Sequence, residues 1–365
     1  MVNYPEQIKR FEEELRKTKY NKRTQHHIGL VKAKIARLRE RQAVRASSKG
    51  KTKGYDVRKT GDGTVIIVGY PSVGKSTLLN KITNANSKVG EYAFTTLDVV
   101  PGLMKYKHAK IQILDVPGVI RGAASGTGRG KEVLSVMRSA DMALILVDVN
   151  YPEHLEFLKK EIYDFSLRLN EKKPFVKIKR TARNGIRIGT TVKLKKLTKE
   201  TITAILKEFK INNADVLIRD QITADQLIDA IEGNKEYIPA VVVLNKIDTV
   251  EPKKIKDVMQ KTKADLAVSS EKGVNMDKLK ELIFKKLDLM RVYMKEPGKP
   301  ADMEVPLIIF NGAKIKDVCN KLHKDFVDQF KFARVWGKSA KYDGQKILKL
   351  IHKLEDNDVL ELRMR

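Results

Sequence analysis

The spacing of apolar positions changes period along this chain, and each change marks a different kind of element. Ile8, Phe11 and Leu15, then Ile28, Val31, Ile35 and Leu38, recur every three or four residues. That spacing puts one apolar stripe on each of two helices, with Thr24 placed to cap the second. The pair reads as an antiparallel helical hairpin, and the small, basic stretch 47–54 reads as a linker. From Thr64 to about Phe165, short unbroken apolar runs alternate with amphipathic stretches. Strands are expected at 65–69, 110–116 and 142–147, with helices after the loop at 69–76, after Gly130 and after Tyr151. Such alternation predicts an α/β layer structure with a largely parallel sheet. The run 238–245 resumes it, and a helix from about Asp277 closes it.

Two stretches break this rhythm. Between 171 and 237 the pattern predicts a small α+β insertion, since a structureless loop of that length is uncommon. Its expected parts are a hairpin of 175–181 and 186–191 turning at Asn184-Gly185, a helix over about 199–209, a strand at 216–219, and a helix 224–231 capped by Thr223. After the Pro/Gly-containing segment 295–300, strands at 305–310, 333–336 and 359–363 and helices at about 315–326 and 346–354 predict a small separate domain. The expected division is therefore 1–60 helical, 61–170 and 238–290 the two parts of the α/β domain, 171–237 the insertion and 291–365 the last domain.

Chemistry concentrates at strand ends. Residues Gly69, Tyr70, Pro71, Ser72, Val73, Gly74, Lys75 and Ser76 match the phosphate-cradling pattern G-x-x-x-x-G-K-[ST] between a strand and a helix that opens with Thr77. Glycines let the backbone approach an anion, and the loop amides plus the helix N-terminus supply positive potential. Lys75 is expected to reach the β/γ-phosphates, and the Ser76 hydroxyl to ligate Mg²⁺. Asp115-Val116-Pro117-Gly118 ends another strand; the aspartate can hold Mg²⁺ through water, and the Gly118 amide can face the γ-phosphate. Asn245-Lys246-Ile247-Asp248 ends a third. The Asp248 carboxylate can accept from N1–H and the 2-amino group of guanine, and adenine lacks that amino donor, so adenine nucleotides are disfavoured. Asn245 would support the loop, the Lys246 stem would lie along the base, and Ser269 and Ser270 could offer backbone amides to guanine O6. Between Phe94 and Leu97, Thr96, or failing that Thr95, can ligate Mg²⁺ and order its loop on a triphosphate. Lys75, Thr96 and Gly118 are the residues expected to act at the γ-phosphate, and Ser76, Thr96 and Asp115 at the metal.

Composition adds a partner class. The 365 residues carry a formal charge of +28, which predicts attraction to polyanions, nucleic acid above acidic protein. Residues 1–60 hold 18 Lys/Arg against 6 Asp/Glu, and Lys32, Lys34, Arg37, Arg39, Arg41 and Arg45 are the candidate nucleic-acid contacts. A single cysteine, Cys319, sits at helical spacing with Ile315, Val318 and Leu322 and reads as core; it excludes an internal disulfide framework and fits a reducing compartment. No run of about 18 apolar residues predicts a membrane span, and the charged first 20 residues do not resemble a signal peptide. A soluble, cytoplasmic chain is expected, as a monomer.

These motifs, the Phe94-Thr-Thr-Leu97 segment and the run from Asp115 to Gly130 resemble the Obg-related GTPases. Within them the chain is most similar to the developmentally regulated GTP-binding (DRG) proteins. The likeness covers nearly the whole chain, including the basic helices, the insertion and a C-terminal TGS-like, ubiquitin-type domain around 332–339. It implies a P-loop GTPase domain with a β-grasp TGS-like domain, GTP/GDP as ligands, hydrolysis with Mg²⁺, a translation and ribosome or structured-RNA connection, and a separate regulatory protein. The position where Ras-like enzymes carry a water-orienting glutamine holds Val119, which implies slow intrinsic turnover. Ser72 stands where potassium-dependent relatives often carry asparagine, so K⁺ stimulation is an expectation set against that residue. The alternative is a non-catalytic, GTP-gated scaffold.

Overall fold

The computed structural model describes residues 4–47, 61–83, 100–115, 136–164 and 166–365. They form two compact units: the N-terminal helices with the stretch 163–237, and the phosphate-loop sheet with the C-terminal stretch.

In the second unit a six-stranded sheet runs in the order Leu266–Ala267, Ala240–Asn245, Met142–Asp148, Gly63–Gly69, Ala109–Asp115, Val100–Tyr106. All neighbours are parallel except the last pair, an antiparallel edge. Every residue of Gly63–Gly69, Met142–Asp148 and Ala240–Asn245 is buried, which explains the unbroken apolar runs: a parallel sheet is covered on both faces. One core joins Val65, Ile67, Leu144 and Val243 of the sheet to Leu78, Leu79 and Ile82 of the helix Lys75–Ile82 and Leu279 and Ile283 of the helix Met276–Lys286. Of the helix expected after Gly130, only 136–139 is among the described residues.

The C-terminal stretch forms a five-stranded sheet ordered Leu307–Phe310, Leu289–Met294, Asp358–Met364, Phe330–Trp336, Gln345–Ile347. Its central pair is parallel and the others antiparallel, the β-grasp arrangement, with the helix Ile315–Leu322 packed on it through Ile315, Val318 and the buried Cys319. Two differences from expectation lie here. The strand Leu289–Met294 has no counterpart among the expected elements. The helix at 346–354 does not form: Gln345–Ile347 pairs as a strand, and residues 348–354 are turn and loop apart from an isolated antiparallel bridge of Lys353 to Lys314. The reason is tertiary. Leu350 and His352 carbonyls accept the amides of Lys316 and Ile315, and the Leu354 amide donates to Ala313. The segment thus satisfies donors at the start of another helix that would otherwise lack partners, instead of bonding to itself.

In the first unit, helices Tyr4–Lys17 and Gln25–Ser47 meet through Ile8, Val31 and Ile35, with Phe11, Leu15 and Leu38 alongside, as their stripes predict. The second helix also packs on the inserted stretch. Ala33 joins the core of Ile202, Ile205 and Leu227, and a Cβ at Gly29 would sit 3.0 Å from the Thr201 methyl. The helix Ala224–Glu232 opens with the expected Thr223 cap, completed by Gln226 into a reciprocal capping box. The predicted hairpin is corrected. Strands Val176–Arg180 and Ile186–Thr190 do not pair with each other; Ala214–Ile218 lies between them, antiparallel to the first and parallel to the second. Asn184 and Gly185 do turn the chain, with φ of 82° and 67°. The loop is long enough to span two strand spacings, however, and Asn213 enters it: its side chain accepts from Gly185 N–H and its carbonyl from Thr181 N–H.

Candidate nucleotide site

Gly69, Asp115, Asp148, Asn245 and the 268–270 loop all lie at or just past the carboxyl ends of parallel strands, where open α/β sheets bind ligands. The phosphate loop is shaped by two close approaches. A Cβ at Gly69 would lie 2.6 Å from the Leu146 carbonyl, and one at Gly74, which has φ +93°, 2.5 Å from Asn245 Nδ2. Ser72 also takes positive φ, 63°, a conformation that turns successive amides toward one concavity.

Lys75 folds over its own loop, donating to the Gly69 and Tyr70 carbonyls at 3.1 and 3.2 Å. Ser76 Oγ donates to Asp115 Oδ2 at 3.2 Å. The other carboxylate oxygen, Asp115 Oδ1, is buried without a hydrogen-bond partner. Burial pushes the Lys75 ammonium below the usual lysine range and the Asp115 carboxyl above the usual aspartate range, each partly offset by the other's charge. A hydroxyl beside an unpartnered carboxylate oxygen is an all-oxygen donor set suited to Mg²⁺ bound with phosphate and water.

Asn245 ties the site together. Its Nδ2 donates to the Val73 carbonyl of the phosphate loop at 2.8 Å, and its Oδ1 accepts from Ser270 N–H and Oγ–H at 3.0 and 2.9 Å. Asp248 receives the Ser269 hydroxyl at 2.5 Å, which holds its carboxyl below the ordinary range with help from Lys272 and Lys246. An aspartate kept ionised can only accept, as a pair of donors on a base requires. Lys246, at φ 63°, reaches Asp148 Oδ2 at 2.9 Å. Ser269 and Ser270 differ from expectation. Their amides go to the Val274 carbonyl and to Asn245, and their hydroxyls orient Asp248 and Asn245.

Phe94, Thr95, Thr96, Val116, Pro117, Gly118 and Val119 lie outside the described residues, as does the Arg45 side chain. Of the candidate nucleic-acid contacts, three are engaged inside the first unit: Lys32 with Asp225 at 2.6 Å, Arg37 with Glu208 at 2.9 Å, and Arg39 with both Glu12 and Asp164. Lys34 sits over the Phe11 ring, and Arg41 is exposed. Two features escaped sequence reading. Asp148 accepts from Asn150 as well as Lys246 and lies in register with Asn245, and the Tyr70 ring stacks on His154 at 4.0 Å. An acid closing a buried strand was the available signal for the first; no sequence signal points to the second.

A phosphate loop, a strand-end acid under its serine and an Asn-Lys-x-Asp loop bolted to the phosphate loop make this a P-loop protein of the GTPase class. Comparisons place it more closely. The family described as "50S ribosome-binding GTPase" matches residues 64–180, the "C-terminal region of MMR_HSR1 domain" 183–289, and the TGS domain 290–364. An uncharacterized GTP-binding protein of Methanocaldococcus jannaschii is 54% identical over 99% of this chain and 93% of its own. Developmentally-regulated GTP-binding protein 1 of Xenopus laevis is 41% identical over 97% of each, and developmentally-regulated G-protein 3 of Arabidopsis thaliana 41% over 99% of each. The chain belongs to the developmentally regulated GTP-binding protein family. Among solved structures, the YchF GTPase of Schizosaccharomyces pombe is similar at 13% identity and TM-score 0.43, covering 85% of this chain and 100% of that one. Among the described residues no helix is long and apolar enough to cross a membrane.

Proposed function

We propose that this protein hydrolyses GTP to GDP and phosphate with Mg²⁺ and acts as a ribosome- or RNA-associated switch in translation, in the cytoplasm. The observation that carries the nucleotide half is Asp248, ionised and oriented by Ser269, on a loop that Asn245 ties to the phosphate loop. In this reading Lys75 moves from its loop carbonyls to the β/γ-phosphates. Ser76, Thr96 and Asp115 would hold the metal, which would supply charge neutralisation at the phosphates. Thr96 and the Gly118 amide order their segments on the γ-phosphate. The translation half is supported by the charge of +28 and by the ribosome-binding description of the matched family. A family-type regulatory protein and a K⁺ requirement are natural means of placing the attacking water beside Val119, which offers no hydrogen bond.

The test is single-turnover phosphate release from GTP with Mg²⁺, with and without K⁺ and ribosomes, beside ribosome pelleting with GDP and with a non-hydrolysable GTP analogue over a salt series. Release that ribosomes accelerate, and pelleting that depends on nucleotide and weakens with salt, supports the reading. Val119 favours a second one, a GTP-gated scaffold; binding of GTP with no phosphate release under any of these conditions would select it.

A further inference from the structure

The three-stranded sheet of the first unit has two unlike faces. Val176, Ile178, Ile186, Ile188, Ala214, Val216 and Ile218 point into the core shared with the helices. Because side chains alternate along a strand, Phe175, Lys177, Lys179, Arg187, Leu217 and Arg219 share the opposite face. There the register sets Lys177 and Gly189 on either side of Leu217, and Lys179 and Arg187 on either side of Asp215. Asp215 is the only carboxylate these strands present on that face, and Arg187 already holds it through two bonds at 2.7 and 3.2 Å. Lys177 and Lys179 have no carboxylate partner among the described residues, unlike Lys32, Arg37 and Arg39 on the helix. At the end of the same face Phe175 is 52% exposed. Its backbone is pinned by Asp220, which accepts its N–H at 2.8 Å, and the Arg219 guanidinium lies 5.0 Å from its ring centroid.

We propose that this face binds single-stranded RNA, with Phe175 as a stacking platform for a base and Lys177, Lys179 and Arg219 as phosphate contacts. An exposed, anchored aromatic beside unpaired cations on an open sheet is the chemistry that holds a strand whose bases are free to stack. A duplex hides its base faces and gains nothing from the ring. An acidic peptide would match the charge but leave no role for a lone aromatic flanked by arginine. The proposal rests on the RNA half of the reading above for its class of partner and is independent of the nucleotide site.

The test uses the full chain and a fluorescein-labelled, unstructured RNA of about 12 nucleotides, a length within the range covered by small strand-binding folds. Anisotropy is followed between about 50 and 200 mM salt. For the pair K177A/K179A, the slope of log affinity against log salt should fall in magnitude by about 1.4, at about 0.7 per phosphate contact on a single strand. F175A should weaken binding about 5- to 150-fold, the range of one lost base stack, while F175W keeps it. The same sequence as a duplex should bind without sensitivity to F175A. Guanine-nucleotide binding and the far-ultraviolet spectrum check that each variant is folded. Unchanged slope and affinity in the folded variants overturn the proposal. If the wild-type chain binds neither RNA form, the RNA reading falls with it. If it binds and the variants bind equally, only the sheet face is excluded.

Discussion

Replacing Asn245 by alanine tests whether base reading and phosphate binding are one structure. Asn245 is 1% exposed, and its amide satisfies the Val73 carbonyl on one side and the Ser270 amide and hydroxyl on the other. Truncation leaves two buried backbone groups unpaired, each worth about 1–3 kcal/mol, so the loss should be about 2–6 kcal/mol. For a unit of this size, at about 2–4 °C per kcal/mol, its melting point should fall by about 4–24 °C. The phosphate loop also loses the group that limits room beside Gly74, so affinity for a fluorescent GDP analogue should fall at least about tenfold, a factor that corresponds to 1.4 kcal/mol. Ser270→Ala removes one of the same bonds, so the double variant should melt above the additive expectation. Calorimetric melting and nucleotide titration measure both effects. An alanine variant that melts within a degree of wild type and binds GDP unchanged refutes the claim that this side chain couples the two loops.

The same geometry sets other outcomes. Gly74→Ala places a Cβ against Asn245 at φ +93° and should abolish tight nucleotide binding, read by the same titration. Asp248→Asn replaces an acceptor by a donor and should shift preference from guanosine to xanthosine diphosphate; unchanged selectivity argues against the base assignment. The Lys107 ammonium and the Tyr106 hydroxyl hold the Glu281 carboxylate down to about 2. Its contribution is therefore present above the ordinary glutamate range and is lost as pH falls toward 2. Melting curves of E281Q and wild type should accordingly converge in acid and diverge near neutral pH. Arg168 grips Asp229 through two bonds of 2.7 Å, both side chains 4% exposed. Arg168→Met alone should destabilise the first unit by about 3–5 kcal/mol, and adding Asp229→Leu should restore much of it; denaturant melts of the three proteins decide.

Short-range chemistry is the part of this structure that the sequence makes legible. The loop 69–76 declares itself because only glycine tolerates the close approaches at positions 69 and 74. The strand runs do so because a covered parallel sheet leaves no polar alternation. The C-terminal segment 346–354 misleads because its helical spacing is real, yet its carbonyls are claimed by Ile315 and Lys316, about 35 residues earlier. The insertion's strand order is invisible for a related reason: any turn at Asn184-Gly185 suits a hairpin, and only the packing of Ala214, Val216 and Ile218 decides that a third strand enters. The cations of the second helix look free in sequence because Asp225, Glu208 and Asp164 lie more than 100 residues away. The serines at 269 and 270 are legible as site residues, but their roles depend on partners the motif does not name.

The same distinction governs the charge. A net +28 argues for a polyanion, but a cation already paired with a carboxylate adds little to long-range attraction. Lys32, Arg37 and Arg39 are in that position, so the second helix braces its unit. Lys75 and Asp115 are the opposite case. Both are partly desolvated, and burial drives each toward its neutral form, the lysine down and the aspartate up. Each relieves the other only in part, since Lys75 turns to two loop carbonyls and Asp115 keeps one oxygen unpartnered. A triphosphate would give the ammonium its counter-charge, and a divalent cation would give the carboxylate its own. A divalent cation there would also attract the phosphates directly, so nucleotide and metal should bind with positive coupling, tighter together than the product of their separate affinities.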